Sequence, residues 1–129
     1  MKPSRTIPPL VAALLLAVAA VAGAAEDEAI LKDPAQRQRV EAALPAKAPA
    51  KPQRPRRLLI FDRNVNYGGH GSIPTANYAF KRMGEKTGAY ETVISRDPEV
   101  FRRESLSRFD AVFLNNTVGN LFTDAGKLA

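Results

Sequence analysis

The sequence predicts an α/β fold built on a parallel sheet, and three observations carry that expectation. A continuous apolar run, Leu58-Leu59-Ile60-Phe61, ends in Asp62, the pattern of a strand buried on both faces. A helix-length segment over Ile73–Thr87 separates it from a second β-rich run, Tyr90-Glu91-Thr92-Val93-Ile94. Strand, helix and strand in that order make a βαβ unit, whose crossover is right-handed. A third apolar run, Phe109-Asp110-Ala111-Val112-Phe113-Leu114, follows a short connection.

Before the sheet lie two segments of different character. Lys2 and Arg5 precede an apolar run from Leu10 to Ala25, which is followed by the acidic residues Glu26, Asp27 and Glu28. This is the layout of a secretory signal peptide. The run is shorter than the ~20 residues a spanning helix needs, and Ala22-Gly23-Ala24 offers a small-residue cleavage pattern, so cleavage is expected after Ala24 or Ala25. The alternative is an uncleaved anchor. Export predicts a secreted or periplasmic protein with no stable membrane insertion once the leader is removed.

Residues 26–57 read as a weak helix and a linker. Asp33 as N-cap and Pro34 at the first helical position start a helix toward Leu44. Its apolar residues, Val40, Ala43 and Leu44, make a poor face, and so short a helix is marginal without a packing partner. From Pro45 to Arg57 the chain holds four prolines, five positive charges and no large apolar residue. Such a segment extends to span on the order of 40 Å, as a tether attracted to an anionic surface or as a solvated spacer.

In the folded part, residues 58–129, Ser72-Ile73-Pro74 supplies a helix start. Ala76, Ala79, Phe80, Met83 and Thr87 recur at spacings of three and four and form one apolar stripe. Lys81, Arg82 and Lys86 lie toward the helix end, where they complement the dipole, and Gly88 is placed to close it. Asp97-Pro98 repeats the cap-plus-proline signal for one helical turn over Pro98–Phe101. Another helix is expected to begin at Thr123-Asp124. Doubly wound sheets usually carry five or more strands, so these residues read as an incomplete domain, with about three strands of the full sheet.

The chain has 129 residues, a formal charge of +6 and no cysteine. That excludes disulfides, cysteine-based zinc sites and a cysteine nucleophile within this stretch. The positive excess sits mainly in the leader and linker, whereas residues 58–129 hold nine bases against eight acids. A nucleic-acid partner needs a basic face on the folded unit, and none is present.

In an open parallel sheet, ligands bind beyond the carboxyl ends of the strands. Three loops meet there: Asp62 to Ser72, Ser95 with Arg96, and Asn115 to Gly119. His70 is the only histidine. Beside a helix N-terminus its imidazole can transfer a proton or bind a hydroxyl; equally, it is a loop histidine bonded to solvent or a carbonyl. Gly68, Gly69 and Gly71 match neither the dinucleotide nor the P-loop pattern. Asn115, Asn116 and Thr117 suit hydroxyl binding or an oxyanion site, or the satisfaction of a tight turn. One histidine with distant carboxylates lacks metal-ligand spacing.

Taken in order, Leu58-Leu59-Ile60-Phe61, Gly69-His70-Gly71-Ser72-Ile73-Pro74, Gly84-Glu85-Lys86-Thr87-Gly88, Asp97-Pro98-Glu99-Val100-Phe101 and the run from Phe109 to Asn120 leading into Leu121-Phe122-Thr123-Asp124 resemble the ThuA-like (trehalose-utilisation) domain. That domain is a branch of the class I glutamine amidotransferase-like superfamily. The resemblance implies a flavodoxin-like α/β sandwich, of which this chain holds the N-terminal half, and a small-molecule carbohydrate partner, trehalose or a related disaccharide or keto-sugar. It implies that His70 is the catalytic candidate and that Ser72, Asn115, Asn116 and Thr117 line the substrate pocket. A later glycine-rich strand and further histidine of the family pattern have no counterpart here, and amidotransfer is not expected. The rival expectations are a non-catalytic module that binds sugar or protein, and a truncated remnant without function. The sequence leaves the sugar, the reaction, any cofactor or metal and the oligomeric state open.

Overall fold

A computed structural model describes residues 31–122. The expected leader over residues 1–25, its cleavage point and the expected helix at Thr123-Asp124 lie outside the described residues. Within them the elements run α1 (Pro34–Ala43), β1 (Arg57–Phe61), α2 (Ile73–Thr87), β2 (Glu91–Ser95), a 3₁₀ turn (Pro98–Phe101), α3 (Arg103–Leu106) and β3 (Ala111–Leu114).

The three strands form one parallel sheet in the order β2-β1-β3. Leu58 to Phe61 stand opposite Thr92 to Ser95 on one side and Ala111 to Leu114 on the other. Flanked on both edges, β1 buries Leu59, Ile60 and Phe61 completely, which is why its apolar residues are continuous rather than alternating. The chain leaves β1 toward β2 on one side and returns to β3 on the other, so the direction of winding reverses beside β1.

The two faces of the sheet are covered differently. Under α2, Ile60 and Ile94 pack with Leu58, Phe80 and Phe113, and the Phe80 and Phe113 rings lie 4.5 Å apart. On the other face Phe61 meets Phe101 edge-on at 4.8 Å and Phe122 in a stack at 6.4 Å. Val112 and Leu114 of β3 stay exposed, at 40% and 53%.

The buried residues of α2 are Ile73, Asn77 and Gly84; of the stripe that periodicity suggests, Phe80 packs on the core while Ala76, Ala79, Met83 and Thr87 are only half-buried, so the inward face is rotated from that stripe. Two contacts account for the rotation. Asn77 finds polar partners beneath the helix, and the bare Cα of Gly84 admits Tyr90, since a Cβ there would stand 2.5 Å from the Tyr90 carbonyl oxygen. The Tyr90 hydroxyl donates to the Phe80 carbonyl, and burial pushes this phenol up from its ordinary range. Gly88, at φ 64, ends the helix as expected, its N–H donating to the Gly84 carbonyl.

The segment before β1 is docked rather than free. Asp33 caps α1 by accepting from the Ala35 and Gln36 amides, and the helix lies against α2 through polar contacts. The Glu41 carboxylate accepts from the Tyr78 hydroxyl at 2.9 Å and pairs with Arg82; Lys86 donates to the Glu41 and Leu44 carbonyls. The bonds from Arg82 and then Tyr78 hold the Glu41 carboxyl below its usual range. The marginal helix thus has its packing partner, although no α1 residue is buried. The proline-rich stretch is likewise anchored near its end, where Arg54 and Arg56 pair with Asp110 and the Arg57 amide donates to it at 2.9 Å. Those donors, the Arg56 bond foremost, hold the Asp110 carboxyl below its ordinary value. With Asp110 so engaged, β3 begins at Ala111, two residues later than the apolar run suggests. Among the described residues no helix is long and apolar enough to cross a membrane.

Candidate functional site

The carboxyl ends of all three strands are joined by a buried chain of polar side chains. Asp62, the first residue beyond β1, is 2% exposed. Its Oδ1 accepts from Arg96 Nε at 2.8 Å, and its Oδ2 accepts from Asn77 Nδ2 at 2.7 Å and from Arg96 Nη2 at 3.3 Å. Arg96 follows β2 and leaves half its side chain in solvent. Asn77 comes from the second turn of α2. From the end of β3, Asn115 donates through Nδ2 to Asn77 Oδ1 at 2.9 Å and to the Ile73 carbonyl at 3.1 Å, while its backbone N–H donates to the Phe61 carbonyl. Asn116, at φ 52, donates in turn to Asn115 Oδ1. A buried carboxylate is costly unless paired and hydrogen-bonded, and both requirements are met here by partners from separate elements.

Above this floor the loop after β1 shapes a cleft of about 410 Å³, lined by Asp62, Asn64, Tyr67, Gly68, Gly69, His70, Gly71, Ile73, Pro74 and Arg96. Asn64 bridges to Val118 in a parallel β-contact, and the Val65 amide donates to the Val118 carbonyl at 2.9 Å. These contacts tie the first loop to the third where the winding reverses. Gly69 has φ 76, and a Cβ there would meet Ile73 Cδ1 at 2.8 Å; only glycine lets this turn close against the start of α2. His70 is exposed, its ring edge-on to Tyr67 at 5.6 Å, and its carbonyl accepts from the Ile73 amide.

The residues chosen from sequence therefore separate. His70 lines the cleft. Ser72 is exposed at the N-cap of α2 without a side-chain capping bond and is not part of the lining. Asn115 lies beneath the cleft, 1% exposed, and reaches it through the Ile73 carbonyl and through Asn77 to Asp62. Asn116 is exposed and Thr117 half-buried, and neither lines the cleft with His70. In their place the structure brings Asp62, Asn64, Tyr67 and Arg96 to the histidine. Asp62 and Arg96 were legible as strand-end residues. Asn77 had a subtler signal, a polar residue four positions after Ile73 on the inward side of α2.

The chemistry of the cleft is donor-rich. Among the described residues no backbone amide from Asn66 to Gly71 donates to a protein acceptor, and both oxygens of Asp62 are engaged. Asp62 and Arg96 are the charged groups of the lining, and they balance each other. Among the described residues no three histidine or carboxylate side chains gather as a metal site would require. A larger hollow of about 840 Å³ lies at the opposite end of the sheet, between residues 51–56 and the end of α2; there Arg54 and Arg56 are committed to Asp110. No family model, curated protein or solved structure matches the chain.

Proposed function

We propose that the chain is an exported ThuA-like protein with a flavodoxin-like sheet, and that the cleft above Asp62 takes a carbohydrate, trehalose or a related disaccharide or keto-sugar. The observation that carries this reading is a charge-balanced, donor-rich cleft holding the histidine, located at the carboxyl ends of β1 and β2. Open α/β sheets use that position for ligands, and flavodoxin-like sheets begin with the order 2-1-3. A neutral polyol offers oxygen lone pairs to free amides and needs no net charge opposite it.

In this reading His70 is the proton-transfer group, because its exposed ring borders the cleft and an imidazole can both donate and accept a proton. Arg96 is held by the buried Asp62 and directs hydrogen bonds to sugar oxygens. Asn115 contributes by supporting Asn77 and Asp62 from below, not by contact with the sugar. The test is calorimetry with a disaccharide panel, followed by a product assay on the unaltered protein and on His70→Ala. Sugar binding with turnover that disappears in His70→Ala is the expected result; undiminished turnover removes His70 from the chemistry.

A specific observation favours a second reading, a sugar-binding module without catalysis. A catalytic histidine is commonly oriented by a carboxylate, yet among the described residues the His70 ring meets Tyr67 edge-on and has no carboxylate bonded to it, and Asp62 is engaged elsewhere. Binding without product supports this alternative. N-terminal sequencing of the exported protein tests the localisation, because a retained Met1 contradicts cleavage.

A further inference from the structure

We infer that Tyr67 is the stacking platform of the cleft, a specificity residue selecting ligands that present a rigid face of C–H groups, as a pyranose ring does. The inference rests on the carbohydrate reading above and names what that site discriminates.

Tyr67 is 47% exposed, although it lines a cleft and its ring would gain by burial. The backbone holds it out. Asn66 immediately before it adopts φ 59, a left-handed conformation that non-glycine residues occupy at a cost and that concentrates at functional sites. Gly68 and Gly69 follow, the second also left-handed. His70 returns to brace the ring edge-on at 5.6 Å, with the planes at 68°. Tyr67 is thus braced by His70 in a T-shaped contact while remaining half open to solvent.

The surroundings specify the complement. A ring supplies an apolar surface with a partial negative face, which attracts polarised C–H groups. Next to it stand amides from Asn66 to Gly71 that donate to no protein acceptor among the described residues, together with the half-exposed Arg96. An apolar face beside a row of donors matches a sugar ring, whose C–H groups gather on one side while its oxygens project at the rim. An anion is a poorer match, because the charged pair of the lining is already balanced.

The experiment compares trehalose and methyl glucopyranoside with mannitol, an acyclic polyol lacking a rigid face. Affinities are measured by calorimetry on the full chain, and the sugar C–H resonances are followed by NMR. With the unaltered protein the pyranosides are expected to bind more tightly than mannitol, and ring protons of the sugar to shift upfield from the aromatic current. Tyr67→Ala should weaken pyranoside binding by roughly three- to tenfold, abolish the upfield shift and level the preference over mannitol. Tyr67→Phe should restore all three. An amide spectrum of Tyr67→Ala matching the unaltered protein outside the loop separates loss of the platform from loss of the fold. Pyranoside binding that is unchanged in Tyr67→Ala, or that lacks the upfield shift, overturns the inference and leaves the carbohydrate reading standing. If no sugar binds the unaltered protein, both fall.

Discussion

Replacing Asn77 by leucine tests whether the polar chain beneath the cleft holds the strand ends together. Leucine shares the γ-branched heavy-atom skeleton of asparagine, so the buried space remains filled while the polar partners are lost. Asn77 is fully buried, gives Asp62 a hydrogen bond at 2.7 Å and accepts one from Asn115 at 2.9 Å. Asp62 retains Arg96, and Asn115 retains the Ile73 carbonyl, so each partner loses one bond rather than all. A bond to a buried carboxylate contributes about 1.5–3 kcal/mol and a neutral one about 0.5–1.5, which places the loss at about 2–4.5 kcal/mol. Against a total of ~5–15 kcal/mol for an ordinary domain, that is a large fraction. Urea unfolding of the full chain followed by circular dichroism measures it, with the midpoint falling at an unchanged slope. The double variant with Asn115→Ala should cost less than the two single losses combined, because the pair shares a bond. Asn77→Asp should be worse than leucine at neutral pH, where it sets a second carboxylate against Asp62, and should partly recover in acid. Stability of Asn77→Leu within 0.5 kcal/mol of the original, on the order of an ordinary surface change, would refute the reasoning.

Other outcomes follow from particular contacts. Gly84→Ala should destabilise by about 1–3 kcal/mol through overpacking despite alanine's better helix propensity, since the new methyl meets the Tyr90 backbone; a raised unfolding midpoint would contradict the packing described. Glu41 and Asp110 both have depressed folded-state values, so their contribution is present above the unfolded carboxylate value and is lost as pH falls through the lower folded one. Protection factors of the α1 amides, corrected for the intrinsic exchange rate, should therefore fall below about pH 4, ahead of those in β1; equal protection factors of α1 at pH 3 and pH 7 would show that the pairing does not hold it. Raising salt should loosen the same helix, because exposed ion pairs are screened. Asn66→Gly should preserve sugar binding, while Asn66→Val should weaken it by straining the left-handed position; equal affinities for the two would separate the loop conformation from recognition.

Much of the fold was legible because its signals are local. Asp33-Pro34 and Asp97-Pro98 announce their helical turns, and side-chain caps form at both. The uninterrupted apolar character of Leu58–Phe61 foretells a central strand, and the first and third runs do pair parallel. Tertiary choices were not legible in the same way. The inward face of α2 was hidden because its middle is an asparagine, which reads as solvent-facing until Asp62 and Asn115 are placed beneath it. Asp110 looked like a strand residue because nothing local indicates that Arg54, Arg56 and the Arg57 amide converge on it from more than fifty positions away. At the site, His70 stood out as the one histidine, whereas Tyr67 resembles any loop aromatic until its exposure and its neighbour are known. Asn115 was legible as a strand-end residue, but its role as a support depends on a partner in another element.

The asparagines and aspartate under the cleft divide the molecule into parts with unequal freedom to change. A substitution among them disturbs β1, β3 and α2 together, so it is paid for by the whole unit. In the loop from Asn66 to Gly71, Tyr67 and His70 contribute little to that core and can be exchanged at small structural cost, whereas Asn66 and Gly69 are held by their left-handed backbone. New ligand preferences should therefore arise on the rim while the floor stays as it is.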